Sequence, residues 1–136
     1  MSSSVQLRHF DNMVLFKGSP VFSGLLPSQL KRLVYKCTEE KFSPGSVILE
    51  SGVVANSLYI IKDGECSIGE KVFSKGDTIF EAAIFTTEYI SKGELIADER
   101  VTLVSITKKD MYDLLLNNPE TTVSLLERFA SKIVEK

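Results

Sequence analysis

Between Gly45 and Asp77 the chain is cut into very short apolar runs by glycine, and this constrains the fold more than any other feature. Ser43-Pro-Gly-Ser46 is a turn, Val47 to Glu50 a strand, and Gly52 to Asn56 a second turn. Leu58 to Ile61 is a continuous apolar run, as expected of a strand covered on both faces. Asp63-Gly64 signals a hairpin, and Cys66 to Ile68 and Lys71 to Phe73 flank a second tight hairpin at Gly69-Glu70. Lys75-Gly-Asp77 turns the chain again. Helices need longer uninterrupted periodic stretches, so this block can only be a set of short antiparallel strands.

Thr38 to Phe42 precedes the block as a weakly alternating strand. After an irregular region up to Glu94, Leu95 to Ala97 and Val101 to Ile106 form a hairpin across Asp98-Glu99. Helices bracket the strands. Val5 to Phe16 carries an imperfect stripe of Leu7, Phe10, Val14 and Phe16, and Gly18-Ser-Pro20 stops it. An apolar connector of Val21, Phe22, Leu25 and Leu26 leads to a helix opening at Pro27, whose missing N–H suits a first turn, with Leu30, Leu33 and Val34 as its buried face. Thr107 caps a helix from Lys108 to Leu116 whose apolar face carries Met111, Leu114 and Leu115. Asn118-Pro119 opens a last helix with a stripe of Val123, Leu126, Phe129, Ala130 and Ile133. Strands in one block with helices at both ends predict an α+β domain: an eight-stranded jelly-roll barrel flanked by N- and C-terminal helices. Its expected extents are helices over 5–35, barrel over 37–106 and helices over 108–135, in one domain spanning 1–136 that is a fragment of a larger regulatory protein.

Several function classes are set aside by composition. The 136 residues carry a formal net charge of −2, which argues against binding driven by nucleic-acid phosphates. No apolar run approaches the roughly 18 residues of a membrane span. Cys37 and Cys66 are too few for a disulfide scaffold, and read as small buried residues of a reduced, cytoplasmic protein. Metal-dependent jelly-roll enzymes need several histidines on facing strands, whereas this chain has one, His9, on the first helix. The domain itself is therefore expected to be non-catalytic, with no metal and no cofactor.

The order of Phe22-Ser-Gly-Leu25, the Pro27 helix, Gly45, Gly52, Tyr59-Ile-Ile61, Gly64, Gly76-Asp77 and the two trailing helices resembles the cyclic nucleotide-binding domain family over nearly the whole chain. The flavour is closest to the regulatory domains of cAMP- and cGMP-dependent protein kinases. The resemblance implies a ligand loop that reads Phe-Gly-Glu, then small and apolar residues, then Pro-Arg. In it the Gly lets backbone approach the sugar, the Glu accepts from the ribose 2′-OH, a helical turn aims N–H groups at the cyclic phosphate, and the Arg pairs with its charge. Here the run is Ile79-Phe80-Glu81-Ala82-Ala83-Ile84-Phe85. Glu81, Ala82 and Ala83 fit. Phe80 stands at the glycine position, as a candidate to block the pocket. Ile90-Ser91 stands where Pro-Arg is expected, with Lys92 one residue late. Arg100 is followed by one strand where the family has two, so it is read as a solvated turn residue.

Losing a charge-assisted, bidentate phosphate contact weakens binding by about tenfold to several hundredfold. Lys92 or Lys75 would substitute only in part, as point charges without the fork geometry, so any ligand contacts are expected from Glu81, Ala82, Ala83, Ser91 and Lys92. The resemblance therefore implies a degenerate regulatory module that docks or relays within a signalling protein such as a cyclic-nucleotide-dependent kinase. Its partners would be other domains of that protein or a kinase catalytic domain. The alternative is a competent cAMP or cGMP binder with a rearranged loop. A transcription factor of the cAMP-receptor type would need a DNA-reading half beyond Lys136.

Overall fold

The computed structural model describes residues 2–86 and 88–134; the side chains at 2–7, 85, 121, 124, 129 and 131–134 lie outside the described set. Helices α1 (Ser2–Lys17) and α2 (Pro27–Lys36) lead into strands β1 (Thr38–Phe42), β2 (Val47–Leu49), β3 (Ser57–Asp63), β4 (Cys66–Ile68), β5 (Lys71–Phe73) and β6 (Thr78–Ile79). A single-turn helix α3 (Ala82–Phe85) follows, then β7 (Leu95–Ala97), β8 (Val101–Thr107), α4 (Lys108–Leu116) and α5 (Pro119–Val134). The strands form two four-stranded antiparallel sheets, ordered β1-β8-β3-β6 and β2-β7-β4-β5, a jelly-roll-like sandwich with flanking helices. The α+β jelly-roll expectation holds.

β3 explains the two-part core. Its residues alternate in direction, and both faces are covered. Leu58 and Ile60 pack with Phe16, Phe22, Leu33 and Met111 on the helical side. Tyr59 and Ile61 face the barrel interior with Phe73, Leu95 and Leu103. Each such buried side chain contributes about 1.5–3 kcal/mol of apolar transfer.

Turn and cap chemistry act where the sequence places them. Pro27 occupies the first turn of α2, and the Leu26 N–H donates to Gln29 Oε1 at 2.8 Å. Thr107 caps α4 by accepting from the Asp110 N–H at 3.1 Å. Gly64 has φ +86°, and a Cβ there would lie 2.1 Å from the Arg100 carbonyl oxygen. The β3–β4 hairpin and the β7–β8 turn thus touch backbone to backbone, and only glycine allows both the dihedral and the approach. Arg100 is exposed, as its turn position implies. Both cysteines are free. Burial, with Asp110 as the second cause at Cys37 and Asp98 at Cys66, pushes each thiol up to about 12.

Three expectations need correction. The stretch after Asp77 is not wholly irregular: Thr78–Ile79 pairs with β3, and α3 follows. A two-residue strand and a one-turn helix are too short to leave a periodic signature. In α1, Phe10 and Val14 are exposed while Leu15 and Phe16 are buried, so the helix turns a different face inward from the one its stripe suggests. In α5, among the described side chains, Leu125 is the buried apolar one, and Val123, Leu126 and Ala130 are exposed. The expected contributions of the Leu7, Phe129 and Ile133 side chains, and of Glu135-Lys136, lie outside the described residues.

Candidate functional site

The loop between β6 and β7 supplies the candidate site, and Phe80 governs its shape. Phe80 has φ +67° and is the non-glycine residue with positive φ among the described residues. The left-handed region costs an L-residue roughly 1–2 kcal/mol, so the backbone here keeps the conformation of a glycine while the residue is aromatic. Its ring is buried at 6% exposure. It meets Tyr59 edge-on, with ring centroids 6.0 Å apart, and Tyr89 at 6.2 Å with a tilted geometry. The aromatic side chain thus points into the barrel cluster that also holds Ala55, Ala83 and Leu95. Burial, with the Glu40 carboxylate second, raises the Tyr59 phenol, which keeps it neutral.

Glu81 and Ala83 follow inside the fold, the former 1% exposed, and Ala82 is half-buried. The Glu81 backbone is already helical and starts α3. The Ala83 N–H donates to the Phe80 carbonyl at 3.0 Å and the Ile84 N–H to the Glu81 carbonyl at 3.1 Å. The turn therefore uses two of its own N–H donors internally. The far end of α3 is held by α4. The Tyr112 hydroxyl donates to the Ile84 carbonyl at 2.5 Å, and the Lys108 ammonium donates to the Thr86 carbonyl. Both supply donors to carbonyls that a helix end leaves without an intrahelical partner.

The return segment runs antiparallel to residues 53–55. The Ala55 N–H donates to Tyr89 O at 2.8 Å, the Ser91 N–H to Val53 O at 3.1 Å, and the Gly52 N–H to Ser91 O at 2.9 Å, around a Val54–Ile90 bridge. This pairing fixes side-chain directions. Ser91 is buried at 2% exposure, and its hydroxyl donates to Gly93 O at 2.6 Å. Lys92, one residue on, is exposed. A one-residue offset along an extended segment reverses the side chain, so Lys92 does not share the direction of Ser91. Lys75 is also exposed and lines a separate groove beside α1.

The structure thus joins Phe80, Glu81, Ala83 and Ser91 in one buried loop system, with Phe80 and Tyr89 bridging its two arms. Lys92 stays outside. Tyr89 and Tyr112 were not singled out from the sequence; Tyr59 entered only within the central-strand run, and Lys108 only as the first residue of a helix. For Tyr59 a signal existed: it shares the two-residue period of Ile61, which faces inward. The clasp by Tyr112 and Lys108 is tertiary and left no local mark. Among the described residues no cluster of three or more His, Cys, Asp or Glu is placed to hold a metal, and no helix is long and apolar enough to cross a membrane. His9 packs edge-on against Tyr35 with centroids 4.3 Å apart.

Relatives share this architecture. A cGMP-dependent protein kinase of Plasmodium berghei (strain Anka) is 28% identical over 113 residues, 79% of this chain and 13% of the kinase, so the chain spans about an eighth of that relative's length. The N-terminal domain of a transcriptional regulator from Streptomyces coelicolor A3(2) superposes with a TM-score of 0.79 at 19% identity, covering 89% of this chain and 91% of that one. The regulatory domain of Toxoplasma gondii PKA, solved with cAMP, superposes with a TM-score of 0.71 at 18% identity, covering 79% of this chain and 44% of that one. These structural likenesses establish the fold. The profile of the cyclic nucleotide-binding domain matches residues 39–118, more than half of the chain, across both sheets, α3 and α4. By that match this protein belongs to the cyclic nucleotide-binding domain family, a regulatory and non-catalytic fold.

Proposed function

We propose that this domain is a degenerate cyclic nucleotide-binding module. It keeps the family scaffold, does not hold cAMP or cGMP tightly, and acts as an allosteric or docking element of a signalling protein such as a cyclic-nucleotide-dependent kinase. The observation that carries this reading is Phe80: a glycine-type backbone at φ +67° whose ring is packed between Tyr59 and Tyr89 inside the barrel. The family glycine admits the sugar at that point, and an aromatic ring excludes it.

Ser91 adds to the case. It replaces the expected arginine, is buried, and spends its hydroxyl on Gly93 O. The Ala83 N–H, which the family would turn toward the phosphate, is engaged by Phe80 O. With no guanidinium at this position, a cyclic phosphate loses its bidentate, charge-assisted partner, which weakens binding by about tenfold or more. The clasp from α4 onto α3 joins the loop to the trailing helices, as a relay element requires. Partners on this reading are other domains of the same regulatory protein or a kinase catalytic domain. The two free thiols suit a cytoplasmic setting.

The competent alternative draws support from one feature. Glu81, Ala82 and Ala83 are all present, and α3 forms directly after them. Calorimetric titration of the protein with cAMP and with cGMP separates the two. The degenerate reading expects no saturable heat at micromolar nucleotide, and saturation in that range with either ligand removes it.

A further inference from the structure

The helical side of the domain carries a feature that the barrel does not explain. Phe10 and Val14, one turn apart on α1, are 63% and 58% exposed. Leu26 and Tyr35, at the two ends of α2, are exposed to a similar degree. Two adjoining hollows lie between α1 and α2. One, of about 160 Å³, is lined by His9, Lys31 and Tyr35; the other, of about 510 Å³, by Lys17, Pro27 and Leu30. Phe10 and Met13 line both, so they form one groove along the helix pair. Contiguous exposed apolar surface of this kind marks interaction sites.

Charge narrows what fits. Residues 1–36 hold five Lys and Arg (Arg8, Lys17, Lys31, Arg32 and Lys36) against one acid, Asp11, although the whole chain is −2. Asp11 lines the adjoining groove on the other side of Phe10 and Val14, which both grooves share, together with Lys62, Asp63 and Lys75. The α1–α2 groove is flanked by Lys17 at one end and Lys31 at the other. Lys17 is oriented by the Ser23 carbonyl at 3.0 Å, a neutral partner that leaves its charge in place.

We propose that the α1–α2 groove docks an amphipathic helix with acidic flanks, supplied by a partner polypeptide. Its apolar residues would sit against Phe10, Met13 and Val14, and its carboxylates would meet Lys17 and Lys31. A helix fits better than an extended segment, because both walls are helices with internally bonded backbones. An extended chain would find no backbone partners there and would leave its own N–H and C=O groups unpaired in an apolar hollow. A helix satisfies its own backbone and packs ridges into grooves. A flat anionic bilayer is disfavoured because the surface is concave, and lipid headgroups would leave the hollows unfilled. This inference deepens the docking half of the proposed function and rests on it, but it is independent of the state of the barrel.

The test uses fluorescence anisotropy with two stapled helical peptides that share Leu at positions i, i+4 and i+7. One is flanked by Glu and its twin by Lys. Saturable binding of the Glu-flanked peptide, at least about tenfold tighter than its twin, is expected. Phe10→Asp should abolish it, and since Phe10 is exposed the variant should keep its circular dichroism and thermal midpoint. Lys31→Glu should weaken the Glu-flanked peptide by about threefold and strengthen the Lys-flanked one, at low salt. Equal binding of both peptides, no binding, or binding indifferent to Phe10→Asp overturns the proposal. So does Phe10-dependent capture by phosphatidylserine vesicles that outcompetes the peptide, or Phe10-dependent self-association in sedimentation. Nucleotide calorimetry on the same preparation is read separately, so failure of the docking face and failure of the degenerate-pocket reading give different results.

Discussion

Replacing Phe80 by alanine and, in parallel, by glycine separates two effects that the structure superimposes. Both changes remove a ring that is buried between Tyr59 and Tyr89. Buried Phe→Ala substitutions cost about 3–5 kcal/mol, including the cavity left behind. Phe80 also sits at φ +67°, where any Cβ is strained. Alanine keeps that strain; glycine relieves it, at the expense of a more flexible unfolded chain. The net advantage of glycine at a left-handed position is about 1 kcal/mol. Phe80→Ala should therefore lose roughly 4 kcal/mol and Phe80→Gly roughly 3 kcal/mol, from the same principles. For a domain of 136 residues each kcal/mol moves the melting midpoint by roughly 3–4 °C. The two variants should melt roughly 14 °C and 10 °C below the parent. The order is the informative part, because alanine ordinarily beats glycine. Differential scanning calorimetry and urea melts, with unchanged m-values, measure it. If Phe80→Ala matches or exceeds Phe80→Gly, the loop does not impose positive φ. If neither variant loses more than about 1 kcal/mol, the ring is not a packing element, and the plugged-pocket reading fails with it.

Three other outcomes follow from named contacts. Phe80→Gly combined with Ser91→Arg should gain cAMP or cGMP affinity over the parent by about a hundredfold, since it opens the sugar site and restores a bidentate anion partner; calorimetry on the single and double variants should show the two changes to be non-additive, and no gain in the double variant would contradict this placement of the loop. Gly64→Ala should destabilise the domain by about 3 kcal/mol in chemical denaturation, because a Cβ at φ +86° meets the Arg100 carbonyl as well as the strain of the turn; a loss below about 1 kcal/mol would mean the two turns separate at little cost. At Glu39, partial burial pushes the carboxyl up, but the Lys62 ammonium at 2.7 Å and the Asn12 amide at 3.2 Å outweigh it and hold the group below its usual range. A carboxyl whose folded pKa is depressed contributes stability above its unfolded pKa and loses it as pH falls through the folded value, so Glu39→Gln should flatten the acid limb of the stability–pH curve by no more than about 1 kcal/mol.

How much of this was legible in the sequence follows from how local each feature is. Gly45, Gly52, Gly64, Gly69 and Gly76 all take positive φ, so the turns, and through them the strand boundaries, were written in single residues. Pro27 and Thr107 marked helix starts for the same reason. Facial direction was less legible. α1 has a weak stripe, and its packing is set by where the connector of Val21, Phe22 and Leu25 inserts, which no residue in α1 encodes. In α5 Leu125 is buried in the helical cluster, while Val123 and Leu126 are exposed.

Phe80 shows why the candidate site could be located from sequence but not resolved. An aromatic residue at a glycine position admits two outcomes. The backbone can abandon the left-handed region and swing the ring outward, or it can keep that region and bury the ring. Strain of roughly 1–2 kcal/mol favours the first. Burying a phenyl ring offers about 1.5–3 kcal/mol, with aromatic contacts to Tyr59 and Tyr89 adding about 0.5–1.5 kcal/mol each. The sum favours the second, but only because Tyr59 comes from β3 and Tyr89 from the segment bridged to Val54, which are 21 residues before and nine after Phe80. The arithmetic needed both rings, and the chain order does not reveal that they meet. The same reasoning sets the expected effect of Tyr59→Ala and Tyr89→Ala: each removes one neighbour of the ring and shifts the balance toward the outward conformer, the arrangement in which a sugar could again approach Glu81.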